Sequence, residues 1–449
     1  MWVQLQMRIS RLLCIFFCCW ICGQPLLRAQ ADPAETLLNI RRKVARSISR
    51  LPNYLCTETV ERRTLAPDLL GFAHNPRRCD QVIAVAAKSP GKLVSIDRLR
   101  LDVAISSGME MYSWVGEGHF DDRSLSEIVK QGATSTGAFS SFLAAIFASD
   151  SAEFTFKGKS QAEGRDILEY TFVVPLARSG YMVSNQNANH LTGYTGVFTA
   201  DAKTLDLLRL EIHTDPLPPD LQVCQSSTIM DYTQVRISAA DVLLPSAVDV
   251  RMLGTNGNES HNHTVFSGCH QFMGESKLIF DDQSTVETPA SAAAKAKSIV
   301  LPPGLGVELA LTQPIDPTTA AAGDLIYGRL THPIKDADSG LIIPKGTKVN
   351  GRIFELLSYF NYVRDLELSL KWESIEVDGV THPLRLAVKF AIPGSSKLPL
   401  LHGHWPDIRT MSAPEQQDVG LFYFPHVLKD YKIPVGFESD WTTLAPSGK

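Results

Sequence analysis

Residues 192–213, TGYTGVFTADAKTLDLLRLEIH, decide the fold. Apolar and polar residues alternate on either side of Asp201-Ala202-Lys203, the pattern of two half-buried strands joined by a tight turn. The alternation changes phase once, between Leu205, Leu207 and then Leu208, Leu210, Ile212, which predicts a bulge. The same period continues outward, predicting strands at 153–158, 166–174, 222–237, 242–252 and 263–280. Glu163-Gly164-Arg165 and Asp215-Pro216-Leu217-Pro218-Pro219 supply turns between them. Upstream of these, β-rich segments are expected at 54–63, 80–87, 93–103 and 109–115. An antiparallel sheet of this length hides its apolar face under helices, under another sheet or around a ligand.

Two helical stretches are available to cover it. From about Pro33 to Arg50, Leu37, Ile40, Val44, Ile48 and Leu51 recur at three- and four-residue steps, with Arg41, Arg42, Lys43, Arg46 and Arg50 on the remainder. The stripe is narrow and lacks aromatics, so this helix is expected to dock on its own sheet with a solvated basic face rather than lie on a membrane. Between 124 and 148 the pattern is helical again, Ser124 to Val129 first. Then come Phe139, Phe142, Leu143, Ile146 and Phe147 on one side. These five are the candidate ligand-binding residues if the segment is a lid over an apolar cavity; burial as a core helix is the other outcome.

Arg8 and Arg11, the apolar run Leu12 to Cys22 and the small residues Ala29-Gln30-Ala31 form a signal-peptide order, with cleavage expected after Ala31. The apolar run is about half of the ~20 residues a membrane span needs. Export is therefore expected, and the family resemblances drawn below imply the periplasm or the periplasmic face of the outer membrane of a bacterial-type cell. Without Arg8, Arg11 and Arg28 the chain keeps 40 Lys and Arg against 48 Asp and Glu, and this acidic balance argues against a nucleic-acid partner. Of eight cysteines, Cys56, Cys79, Cys224 and Cys269 remain after cleavage, an even number that implies two disulfides. Three pairings are open; Cys56–Cys79 with Cys224–Cys269 is expected because each pair lies in one cluster of strands. No CxxC spacing suggests zinc instead.

Residues 281–298, DDQSTVETPASAAAKAKS, lack sustained alternation and are expected to be a linker. Beyond it, strands at 305–312, 324–331, 341–343, 347–356, 364–377 and 381–390 predict a small β-barrel or sandwich. The remainder, 391–449, is rich in Pro, Gly and aromatics and is expected to wrap a domain surface. The organisation expected is a signal peptide (1–31), a first domain (32–280), the linker, a small β-barrel-like domain (299–390) and the tail.

No motif for catalysis is present: GxSxG, HExxH, a Walker lysine loop and a dinucleotide fingerprint are all missing. His261, His263 and His270 around Cys269, and His402 and His404, are weighed as metal ligands. Each group lies in a Gly- or Asn-rich stretch without a carboxylate triad, so exposed loop histidines are expected, with no metal and no cofactor. Asn258-Glu259-Ser260 and Asn262-His263-Thr264 match glycosylation sequons and are taken as the same exposed loop. Asp336 to Gly340 resembles a calcium turn without the downstream Glu, and a polar hairpin turn explains it equally well.

The series Gly193 to Glu211, Tyr232-Thr233-Gln234-Val235 and Leu243-Leu244-Pro245-Ser246 resembles the strands of the outer-membrane lipoprotein-carrier (LolA-like) superfamily. That resemblance implies, for residues 32–280, a curved antiparallel half-barrel with helices on its concave side, where acyl chains are accepted. Leu301-Pro302-Pro303-Gly304, Leu309 to Ile315, Ala322-Gly323-Asp324 and Ile342 to Arg352 are similar to the C-terminal β-domain of type IV secretion and conjugation (TrbI-like) channel proteins. This second likeness covers residues 299–352 and implies a barrel-like interaction domain, in which Pro344-Lys345-Gly346-Thr347 makes a tight turn. Together they imply a mainly β, two-domain, non-enzymatic envelope protein that binds a lipid, a lipoprotein or a protein partner. An assembly component with a filled core and a metal-dependent hydrolase using the histidines are the alternatives.

Overall fold

The structure, a computed structural model, describes residues 32–67, 78–89, 91–106, 108–117, 119–120, 123–129, 132–185, 188–237, 240–272, 299, 301–360, 362–390 and 418–445. The expected signal peptide, the linker at 281–298 and His402 and His404 lie outside them.

The first half opens with α1 (Pro33–Ser49), β1 (Tyr54–Ala66), α2 (Cys79–Ala86), β2 (Lys92–Ser106) and β3 (Met109–Trp114). Then come α3 (Leu125–Ile128) and α4 (Ser141–Leu143), which runs on into a π-helical turn at Ala144–Ala148. The meander follows: β4 (Glu153–Ala162), β5 (Arg165–Val174), the small hairpin β6 (Met182–Ser184) and β7 (Asn189–Leu191), β8 (Tyr194–Asp201) and β9 (Leu207–Thr214). It ends in three long strands, β10 (Val223–Ile237), β11 (Ala240–Gly254) and β12 (Glu259–Gln271).

These strands pair antiparallel in the order β4, β5, β8, β9, β10, β11, β12, β1, β2, β3, so the first strand closes against the last of the meander. The predicted bulge is present: Thr199 faces Arg209 and Ala200 faces Leu207, which leaves Leu208 unpaired. α1 begins at a cap, where the Asp32 carboxylate accepts the Ala34 N–H at 3.0 Å, and buries Ile40 and Val44 against the sheet. Its basic face is less solvated than expected. Arg41 donates to the Phe147 and Ser149 carbonyls at 3.1 and 2.7 Å, and Lys43 to the Thr204 carbonyl at 2.7 Å.

Two expectations are corrected here. Residues 80–87 are helical, not a strand: Val82 packs on Cys224 and Leu253, flanked by Cys79, Ile83 and Ala86 at helical spacing. The disulfides are Cys56–Cys269 and Cys79–Cys224, not Cys56–Cys79 and Cys224–Cys269. The first joins neighbouring strands β1 and β12, and the second ties α2 to the start of β10. These bridges span 213 and 145 residues, so loop-closure entropy gives about 5 kcal/mol each, in that model.

The second half contains β13 (Gly306–Leu311), β14 (Leu325–Leu330), β15 (Ile334–Lys335), β16 (Ile342–Ile343), β17 (Lys348–Phe360) and β18 (Arg364–Val377). β19 (Val380–Pro383), β20 (Leu386–Phe390), β21 (Gly420–Phe424) and β22 (Glu438–Thr443) complete it. Its strands run β20, β22, β13, β14, β17, β18, with β19 and β21 both paired to β18. Among the described residues no ladder joins β20 to β21, and the sheet stays open. The C-terminal stretch expected to wrap a surface instead supplies β21 and β22, with Trp441 fully buried edge-on to Trp372 and Phe422. At Gly328 a Cβ would sit 2.6 Å from the Trp372 ring, which explains a glycine inside this strand. The predicted turn at Pro344 to Thr347 is present with Gly346 at φ +86°. Asp336 to Gly340 is the β15–β16 hairpin turn, its Asp336 carboxylate accepting from the Asp338 N–H and the Ser339 hydroxyl.

The two halves share one sheet. Along the outer edge of β2, residues 95–97 pair with β17, Leu99 bridges to Ala322 and residues 101–106 pair with β3. Arg100 pairs with Asp324, and Arg352, 3% exposed, donates to the Val115 and Gly323 carbonyls at 2.9 and 2.8 Å.

Candidate functional site

Strand parity on β1 turns Tyr54, Cys56, Glu58, Val60 and Arg62 to the concave side of the half-barrel, where all five are buried. Leu99, Leu101, Val103 and Ile105 of β2 share that side, as do Asn262 and Thr264 of β12. Two of these positions are anomalous in an apolar face. Arg62 is satisfied by an ion pair with its cross-strand neighbour Asp97. Glu58 has no hydrogen-bond partner among the described residues and is only 5% exposed. Burial first, and the charge of Glu110 second, push its carboxyl up to about 8, so it is neutral at pH 7.

Glu58 lines a small cavity with Thr134, Ser135, Asn262 and Thr264 at its polar end and Val60, Leu99, Leu101, Leu125 and Val250 around it. The space open to the centre of a water-sized sphere is about 10 Å³, room for about one water.

Beside it, the segment from Gly132 to Ala148 packs with α1 against the sheet. Glu110 accepts the Gly137 and Phe139 N–H groups at 2.7 and 3.2 Å, together with the Tyr112 hydroxyl at 2.7 Å. Tyr232 donates to the Ala138 carbonyl at 2.9 Å and Asn262 to the Ala133 carbonyl at 2.8 Å. Burial, with the negative charge of Glu110 behind it, raises the Tyr54, Tyr112 and Tyr232 hydroxyls and keeps them neutral. The Tyr54 hydroxyl is buried without a partner among the described residues.

Of the five expected ligand-binding residues, the structure brings Phe142, Leu143, Ile146 and Phe147 into one core with α1 and the meander, and places Phe139 in a neighbouring core with Tyr54 and Leu101. Phe139 packs edge-on against Tyr54 and Phe266, Phe142 against Tyr181, and Phe147 against Phe198. Phe139, Leu143, Ile146 and Phe147 are 1% exposed or less and Phe142 is 8%. They touch protein, and the interior they occupy is filled.

The histidines are placed differently from expectation. His261, His263 and His270 lie on β12, not in a loop, which also corrects the reading of the sequon segment. His261 Nε2 and His263 Nδ1 lie 3.1 and 3.0 Å from one oxygen of Asp249 on β11. Although burial acts to raise it, these imidazoles hold the Asp249 carboxyl below its usual value. The cluster sits on the convex face, away from the cavity, and no group of three side chains suited to a metal ion occurs among the described residues. Sequence reasoning missed Glu58, although its signal was present: an acid in phase with Tyr54, Cys56 and Val60.

No family model and no curated protein matches the chain. Among solved structures it is similar to a DUF1329 family protein from Desulfovibrio piger, at 9% identity and a TM-score of 0.29, over 55% of this chain and 96% of that one. It is also similar to a domain from Vibrio parahaemolyticus described as an outer membrane lipoprotein-sorting protein domain. There the identity is 10% and the TM-score 0.27, over 54% of this chain and 95% of that one. Scores this low carry no argument about function.

Proposed function

We propose that this chain is an exported, non-catalytic binding protein of the cell envelope whose half-barrel takes up an acyl chain, of a lipid or lipoprotein, where residues 137–148 now lie. The observation that carries this reading is how that apolar segment is attached. It belongs to no ladder of the sheet and is held by side-chain tethers from Arg41, Glu110 and Tyr232. Such a plug withdraws without breaking a strand pair, and an acyl chain replaces the apolar contacts it gives up. The second module then serves as the face for a protein partner.

A second reading, an assembly component with a filled core, draws support from the burial of Phe139, Phe142, Leu143, Ile146 and Phe147 and from a cavity of only water size. Its partners would add strands to free edges such as that of β4. Because the two halves share a sheet, the test uses the full exported chain from a periplasmic host, by native mass spectrometry with lipid extraction. One acyl species per chain is expected. A folded chain that carries no lipid and takes up no added palmitate overturns the carrier reading in favour of the second.

A further inference from the structure

We propose that the cavity beside Glu58 is a seat for one primary ammonium group, R–NH3+. This rests on the binding-protein reading above and names the polar end of the ligand.

The argument begins with an unmet requirement. A buried carboxyl without a hydrogen-bond partner is costly, and proteins keep such groups where something else completes them. Glu58 is 95% buried, and among the described residues no Lys or Arg lines its cavity. Its nearest cation on the strand, Arg62, is committed to Asp97. The other polar liners are Thr134, Ser135, Asn262 and Thr264, all of which offer oxygens that accept hydrogen bonds. An ammonium carries three N–H donors and one positive charge on an atom about the size of a water, which matches the space of about 10 Å³. An anion is repelled by the negative charge of Glu110 and would keep Glu58 protonated, and a neutral hydroxyl brings no charge to pair with a Glu58 carboxylate. A divalent cation needs about six oxygens and keeps its waters, for which there is no room.

Binding is an exchange. Glu58–COOH gives its proton to solvent, and the resulting carboxylate pairs with R–NH3+, so one proton leaves for each ammonium bound. The titratable groups that interact with Glu58 are Glu110 and Tyr112 on β3, and Glu110 in turn acts on Tyr54 of β1 and Tyr232 of β10. The three tyrosines stay neutral in this range. Glu110 already accepts three hydrogen bonds and adds negative potential that favours the cation.

The experiment is calorimetric titration of the full chain with octylammonium chloride, sodium octanoate and 1-octanol. It is run from pH 6 to 9 in paired buffers of different protonation enthalpy. One octylammonium per chain is expected, with one proton released near pH 7 and affinity rising about tenfold per pH unit below 8. Glu58→Gln, checked for folding by circular dichroism, should weaken octylammonium about 10- to 100-fold and abolish the proton release. Thr264→Val should weaken it less while keeping the proton release. Octanol or octanoate binding as tightly as octylammonium, or a Glu58→Gln chain that binds it unchanged, overturns the ammonium seat and leaves the binding-protein reading standing. If none of the three binds, both fall.

Discussion

Replacing Glu58 with Gln keeps the shape of the side chain and removes its ionisation, which makes the cavity's electrostatics measurable as stability. In the fold this carboxyl is pushed up to about 8 by burial, with Glu110 adding to it, from an ordinary value of 4.5. A folded value above the unfolded one means that the folded chain holds the proton more tightly. The associated stability is complete below pH 4.5 and is lost as the pH rises through 8. From pH 5 to 8 the loss amounts to about 3–4 kcal/mol, at about 1.36 kcal/mol per unit. The Gln chain is spared it. Urea unfolding of both chains at pH 5, 6.5 and 8, followed by far-ultraviolet circular dichroism, should therefore show the variant gaining on the wild type by that amount. A difference that stays constant across the range would mean that Glu58 is ionised and solvated in the fold, and the cavity argument would be wrong.

Mass mapping of the unreduced, proteolysed chain should yield peptides linked through Cys56–Cys269 and Cys79–Cys224; a Cys56–Cys79 peptide would refute the arrangement. Arg352→Ala strands the Val115 and Gly323 carbonyls and should cost about 3–5 kcal/mol, splitting one calorimetric transition into two as the halves separate. A single unshifted transition would show that the clamp is unimportant. Trp441→Ala should lower the stability of the second half by about 3–5 kcal/mol in urea, whereas a surface-wrapping tail would tolerate it. Glu110→Gln weakens the charged acceptor of two plug amides by about 1.5–3 kcal/mol. Faster hydrogen exchange at Gly137 and Phe139 is the expected readout, and unchanged rates would mean that the plug is held by its apolar contacts alone.

Much of the fold is legible because strand period and turn chemistry are local. The Leu208 bulge, the turn at Gly346 and nearly every strand follow from alternation and from Gly, Pro and Asp placement. What failed was either ambiguous or distant. Val82, Ala84 and Ala86 alternate as a strand would, yet Cys79, Val82, Ile83 and Ala86 also recur at helical spacing, and the contact with Cys224 and Leu253 selects the helix. The disulfide pairing depends on β1 closing against β12 across 213 residues, which no local pattern reveals. The C-terminal strands were obscured because β21 and β22 are short and separated by turn-rich sequence, although Phe422 and Trp441 are core residues. At the site, the apolar plug was legible from its stripe. Glu58 needed strand phase to be applied to a charged residue, where the habit is to look only at apolar ones.

The junction bears on how the plug and the second module can act together. β2 would otherwise present an unpaired edge, the usual liability of a sheet. Here that edge is shared by β17, Ala322 and β3, and the Ala322 N–H and carbonyl are both engaged by β2, at 2.8 and 2.7 Å. Arg98 and Arg100 on β2 reach the Pro317 and Thr319 carbonyls of the second half, each at 3.2 Å. Contacts of this kind, backbone pairs reinforced by charged donors on carbonyls, leave little freedom for one half to swing against the other. The second half is thus joined to the first by strand pairing as well as by these charged donors. The same two strands carry Glu58 and Arg62 on β1 and Asp97 on β2, the last facing Leu357 of β17. A ligand that ionises Glu58 would thus place its charge two strand repeats away from an ion pair that abuts the second half.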